Sequence, residues 1–286
     1  MTGADVIART PGDSGRSAPQ REWSRFKFPG SIFRYGGFLL ALVFIAFSIV
    51  YLNIPLERFI NMFGRVGTLV TDRYYPPDVE YVLDKDYLSS VFDTIKMAYL
   101  GALFGMAFAI PLGWFGAYNM TPSRRFLYPV ARLMTIGARA VHETIWAILF
   151  VTIVGFGMMA GVLALTMFCI GFAGKLFAEE IEGIDMGPVE AIRSTGASQL
   201  SVMVYGVLPQ VRVAFTGIGI YTWDVAFRAA TVVGFFGAGG MGWYLKRNVL
   251  QIETQRVAAI LLSIIVLVLV SEVISAWARA RVAKAK

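Results

Sequence analysis

Long stretches without a single charge decide what this chain can become. No residue between Lys96 and Arg124 is charged, none between Glu143 and Lys175, and none from Tyr35 to Pro55. A helix crossing the hydrocarbon core of a bilayer takes about 20 predominantly apolar residues. Composition agrees. Charged residues make up 16% of the 286, against about 25% in a soluble globular domain, and mean hydropathy is +0.63. The chain reads as an all-α polytopic membrane protein.

Six spans are expected, at about 35–54, 89–117, 127–154, 160–178, 209–233 and 254–277. The net charge of +7 reports orientation rather than nucleic acid, because Lys and Arg gather in cytoplasmic segments. Arg9, Arg16, Arg21, Arg25, Lys27 and Arg34 precede the first span, and Arg279, Arg281, Lys284 and Lys286 follow the last. Glu57, Asp72, Asp78, Glu80, Asp84 and Asp86 make 54–88 acidic. Both termini are therefore expected inside, with 54–88 outside. The parts are a disordered cytoplasmic start (1–34), a first span with its external segment (35–88), a core (89–278) and a basic tail (279–286). Leu56–Val70 is expected as an amphipathic interfacial helix, broken at Tyr74–Pro77. One cysteine, Cys169, excludes an intrachain disulfide and a cysteine metal site.

The polar stretch EAIRSTGASQLSVMVYGVLPQ, residues 190–210, lies on the cytoplasmic side in this topology. Residues 188–195 read as a short helix, with Pro188 in its first turn. Gly196 suits the left-handed residue that ends it. Ser198 can cap a second helix over 199–207, and Pro209 opens the fifth span. Such a helix outside the membrane is either a docking element for a soluble partner or an ordinary loop.

The same residues resemble a family motif. Permeases of bacterial ATP-binding-cassette (ABC) importers carry a loop of the form E-A-A, three residues, G, nine residues, I, one residue, L-P. Glu190-Ala191-Ile192, Gly196 and Leu208-Pro209 fall at that spacing, with Ile192 in place of the second Ala and Gly206 in place of the Ile. GKLFAEEIEGID before the loop, RAATVVGFFGAGGMGWYL after it, and WAILFVTIVGFG resemble the phosphonate-importer subfamily. The resemblance spans about 85–280. It implies a type I importer permease, with a five-helix core plus one N-terminal helix, in the cytoplasmic membrane of a bacterium. It also implies a second permease, expected to be identical, two ATPase subunits that bind ATP and Mg, and an external substrate-binding protein. The coupling residues would be Pro188, Glu190, Ala191, Ile192, Gly196, Leu208 and Pro209, within the loop 179–208. The chain has no G-x-x-x-x-G-K-[ST]. Its nearest echo, Gly174-Lys175-Leu176, has Cys169 at the first glycine position. ATP hydrolysis is therefore expected on a partner, with no cofactor and no enzymatic chemistry in this chain.

Ionisable groups at membrane depth face cavities or partners. Asp224 and Arg228, at i and i+4, are either a self-satisfying ion pair or a path for a phosphorus oxyanion. His142-Glu143 is either a kink or polar contact, or part of the pathway. Trp146 stands where H-E-x-x-H needs a second histidine, and His142 is the only one, so a zinc protease is excluded. Gly234, Gly237, Gly239, Gly240 and Gly242 form either an outer gate or a plain turn. The leading expectation is a permease for phosphonate, phosphate or phosphite. An ion-gradient transporter using Asp224, Glu143 or His142 is the alternative. A membrane-embedded enzyme ranks behind both, for want of paired metal ligands or a nucleophile constellation.

Overall fold

The computed structural model describes residues 30–52, 57 and 60–284, and among them every regular element is helical. The segment expected to be disordered lies almost wholly outside the described residues. The chain divides into two units, Met1–Arg65 and Val66–Lys286. The first contains α1 (Gly30–Tyr51), which carries no charge after Arg34 and is apolar enough all round to suit a membrane span. Helix α2 (Met62–Leu69) widens into a π turn at Val70–Tyr74, and the chain becomes extended at Tyr75.

The second unit holds α3 (Val79–Leu83), α4 (Lys85–Phe115), α5 (Leu127–Ala140), α6 (Glu143–Val154), α7 (Met158–Glu182), α8 (Met186–Ser194), α9 (Gln199–Val202), α10 (Leu208–Val233), α11 (Gly240–Leu250) and α12 (Thr254–Lys284). Among the described residues five helices, α1 among them, are long and apolar enough to span a bilayer, and the bent pair α5–α6, counted as one span, makes a sixth.

Helices α4 and α7 form the spine. Lipid offers no hydrophobic drive for helix pairing, so close backbone approach through small residues supplies it. On α4 these are Gly101, Gly105, Ala109 and Gly113, one every four residues. A Cβ at Gly101 would fall 2.5 Å from Leu165 Cβ, one at Gly113 would fall 2.6 Å from Phe177 Cβ, and one at Gly105 would collide with Cys169 Cβ. The facing residues Leu165, Cys169 and Phe177 lie on the matching ridge of α7. Around this seam Met97, Ala98, Leu165, Phe227, Ala230 and Val233 form the central core.

The third span, expected over 127–154, carries the kink that was one reading of His142-Glu143. It is two helices meeting at 92°, broken at Val141-His142 with no Pro or Gly there. The break leaves the Ala138 carbonyl without its helical partner, and the Trp146 indole N–H donates to it at 3.1 Å. His142 caps α6, its ring nitrogen accepting from Thr144 N. The second loop helix is also shorter than expected. It is α-helical over Gln199–Val202 and opens into a π turn at Met203–Val207 around Gly206. The glycine segment is more than a turn. A π turn at Gly234–Ala238 leads through positive-φ Gly239 and Gly240 into α11, a helix that the sequence reading had not placed.

Candidate functional site

Three polar constructions stand out, one at each end of the second unit and one between α10 and α12. At the first end, α8 stands apart from the spanning helices on a small apolar base. Asp185 caps it by accepting from Gly187 N at 2.9 Å. Val189, fully buried, packs with Ile181, Val202, Val207 and Val211. Glu190, Ala191 and Arg193 remain exposed, so the helix buries one face and offers the other. Gly196 follows at φ +78°, where a side-chain-bearing residue is strained, and open space surrounds the position a Cβ would take.

The two departures from the loop motif compensate each other. Gly206 is buried, and a Cβ there would meet Ile192 Cδ1 and Val189 Cα at 3.4 Å. The large residue at 192 fills room that the small residue at 206 leaves.

Gln210, which the sequence reading missed, ties this base to α10. Its Nε2 donates to the carbonyls of Asp185 at 3.1 Å and Gly206 at 2.8 Å, and its Oε1 accepts from Asp185 N at 3.0 Å. Only its position after Leu208-Pro209 could have signalled it. Glu182 does similar work on the other side, accepting from Tyr118 N at 2.9 Å and Arg132 Nη2 at 2.6 Å. Hydrogen bonds thus join the cap of α8 to α10 through Gln210, and the end of α7 to the α4–α5 connection and α5 through Glu182. Gln210→Leu keeps the volume and removes three bonds at about 1 kcal/mol each. Its expected outcome is uptake reduced roughly fivefold with ATPase assembly retained, read by transport and pull-down on the same membranes.

Between α10 and α12, Asp224 is 1% exposed. Its Oδ2 accepts from Arg228 Nη2 at 2.9 Å and its Oδ1 from Ser271 Oγ at 3.1 Å. Arg228 also reaches Glu272 at 3.8 Å, and Arg279 lies 3.6 Å from the same Glu272. Two acids and two bases alternate along the contact, so the group is neutral as a whole. Arg228 is divided between two carboxylates. His142 and Glu143 are not part of this group. They sit at the α5–α6 bend, their side chains 3.4 Å apart.

At the opposite end, Gly234, Gly237 and Ala238 are buried. Irregular backbone at membrane depth must be enclosed in protein or line water. Two contacts enclose it here. Gly157 N donates to the Gly237 carbonyl at 3.1 Å, and Met241 N donates to Thr94 Oγ1 at 2.9 Å. At φ +66°, Gly240 touches the Thr94 hydroxyl so closely that a Cβ would clash with it.

Residues 109–284 match the family model described as "Binding-protein-dependent transport system inner membrane component". The chain belongs to this family. Permeases of known role are similar along most of its length. The phosphite transport system permease protein PtxC of Stutzerimonas stutzeri is 37% identical over 235 residues, covering 80% of this chain and 84% of that protein. The phosphate-import permease protein PhnE of Mycolicibacterium smegmatis is 35% identical over 280 residues, covering 97% of this chain and 50% of that one. Among solved structures, the inward-facing MetNI methionine ABC transporter superposes with a TM-score of 0.58 at 20% identity, over 67% of this chain and 94% of that one. That likeness shows the fold: an importer permease core. The family is one of transport permease subunits, so the ion-gradient alternative is set aside, and the enzyme alternative finds no support in it. Among the described residues no cluster of His, Cys, Asp or Glu could hold a metal ion.

Proposed function

We propose that this permease carries a phosphorus oxyanion, namely phosphite, phosphate or a phosphonate, across the cytoplasmic membrane of a bacterium. Its engine is a pair of ATPase subunits that bind ATP and Mg and grip α8. An external binding protein delivers the substrate, and a second copy of this chain completes the pathway. The observation that carries the mechanism is α8 itself, a capped helix with Val189 buried and Glu190 and Ala191 offered outward. The substrate class rests on the kinship with permeases named for phosphite and phosphate.

Charge supports the orientation. Arg124, Arg125, Arg193, Arg212, Arg279 and Arg281 gather toward the α8 end, and Asp72, Asp78, Glu80, Asp84 and Asp86 toward the other. This supports an orientation with α8 on the cytoplasmic side. Closure of the ATPase pair moves α8, and Gln210 and Glu182 pass the motion to the spans. Of the two readings of Asp224 and Arg228, the ion pair is preferred: it clamps α10 to α12, because breaking a buried pair leaves an uncompensated charge. His142 and Glu143 fix the bend that aims α5 and α6. Gly234, Gly237, Gly239 and Gly240 form the outer gate.

The test is assembly and transport together. Glu190→Ala and Gly196→Asp are expected to lose the co-purifying ATPase and ATP-driven uptake of radiolabelled phosphate or phosphite, while the permease itself still reaches the membrane. Uptake that continues with α8 altered, or an α8 reached only by reagents added outside the cell, would remove this reading.

A further inference from the structure

We propose that the face shared by α5 and α7 holds a second, unassigned element of the pathway: an oxyanion site on the inner half of the protein, centred on Arg139. Arg132, Thr135, Ile136 and Arg139 stand at i, i+3, i+4 and i+7 of α5, which places them on one helical face. With Lys175 of α7 they line a cavity of about 350 Å³. Two glycines of α7 bring that face into position. A Cβ at Gly171 would fall 2.7 Å from Arg139 N, and one at Gly174 would fall 3.0 Å from Thr135 Cγ2.

The charges of this cavity are not balanced. Arg132 is held by Glu182 at 2.6 Å and Lys175 by Glu179 at 3.3 Å. Arg139 is exposed and makes no ion pair among the described residues. Three cations face two carboxylates, leaving one positive charge in excess. Arg132 has an unused donor, since its Nε is buried without a hydrogen-bond partner. The Thr135 hydroxyl donates back to its own helix, so recognition falls to the cations.

Depth strengthens the case. Lys175 is seven residues from the end of α7, about 10 Å at 1.5 Å per residue. Cations this far from the end of a span are tolerated where they line water or meet a partner, not where they face acyl chains. A tetrahedral oxyanion suits them, because the guanidinium fork matches its oxygens in pairs. The contrast with Arg228 is direct. That residue already has two carboxylates and no charge to spare, whereas Arg139 has none. Glu179 and Glu182 dilute the positive field, so an anion stopping here is released inward rather than trapped.

The place of this site in transport rests on the proposed substrate class, but its ability to bind an anion does not, and the experiment separates the two. The assembled transporter is placed in phosphatidylcholine nanodiscs with Ile136→Cys as a reporter; Cys169 is buried and stays silent. The rate of labelling by a charged methanethiosulfonate is followed by mass spectrometry. Phosphate at about four times its Kd is expected to slow labelling about fivefold, the competition factor 1 + [L]/Kd. Arg139→Gln is expected to abolish the protection and lower phosphate uptake about tenfold, as loss of one charged hydrogen-bonding group predicts. Arg139→Lys is expected to restore most of both. Labelling indifferent to phosphate, protection unchanged in Arg139→Gln, or protection that appears only when phosphatidylglycerol is added overturns the site; the last would assign the cavity to a lipid headgroup. Phosphate protection in a transporter that imports no phosphorus oxyanion would instead overturn the substrate class and leave the anion site standing.

Discussion

Gly105→Leu is expected to remove the folded permease from the membrane almost completely. The seam between α4 and α7 has no slack at this point. A Cβ on residue 105 would collide with the Cβ of Cys169, and the Thr166 carbonyl would stand 3.1 Å away. Neither obstacle is the far end of a flexible side chain, so the helices must separate. Separation strips contact from Gly101–Leu165 and Gly113–Phe177 together, because the three positions lie on one straight ridge. Overpacking in a close-packed interior costs about 1–3 kcal/mol where neighbours can yield. Here they are backbone and Cβ atoms, so the cost exceeds that range and takes up much of a marginal stability. Gly36→Leu on α1 is the control, with nothing within 4 Å of its Cβ position. Fluorescence-detected size-exclusion profiles of the two variants should show a lost peak for the first and a normal one for the second. A normal profile and thermal midpoint for Gly105→Leu would show that the seam is not the structural spine.

The glycine ridge was legible in the sequence and went unread. Inside an apolar run hydropathy treats all positions alike, and the four-residue spacing of small side chains is the only signal of which face meets another helix. The spans were read well because charge-free length is a one-dimensional property. A kink at His142-Glu143 was one of the readings the sequence offered, but charge-free length could not decide for it. The cues for a break are Pro and Gly, and neither is present. What stabilises this break is tertiary: the indole of Trp146 reaching back to the Ala138 carbonyl, and the ring of His142 turned onto Thr144. Helix α11 was hidden for the opposite reason. Its start is rich in glycine, which disfavours helix by about 1 kcal/mol per residue, yet Met241 and Asn248 are buried once the segment packs. The loop was legible in outline, including the cap at Ser198, but not the cap at Asp185, the start of α8 at Met186 or the π turn that cuts the second helix short. The exchange between Ile192 and Gly206 was not, since each looks like a defect until their contact is seen. The basic cavity needed two facts at once. The spacing of Arg132 and Arg139 is in the sequence, but Lys175 joins them only through the antiparallel packing of α5 on α7.

The gate assignment leads to the second large effect: Gly240→Val is expected to stop uptake while leaving the ATPase bound. Valine is penalised twice at this position. Its branched side chain is a poor fit to φ +66°, at a cost of at least about 1–2 kcal/mol, and its Cβ would occupy the place of the Thr94 hydroxyl. The Met241 N–H would then lose its acceptor in a buried setting, a further cost of about 1–3 kcal/mol. The structure can relieve both by moving the start of α11 away from α4, which changes the backbone where the gate is assigned. Helix α10 intervenes between this point and the coupling loop, and its 26 residues span about 39 Å at 1.5 Å each. Strain at Gly240 therefore leaves the α8 base untouched. ATPase should co-purify at the wild-type level, hydrolysis should persist, and uptake should fall at least about tenfold, as blocked passage with an intact engine requires. Thr94→Val removes the acceptor without adding bulk at residue 240, so a smaller loss of the same kind is expected from it. Joint loss of uptake and ATPase assembly in Gly240→Val would mean that the segment holds the whole fold rather than a gate. Wild-type uptake would mean that the Gly240–Thr94 contact is incidental to passage.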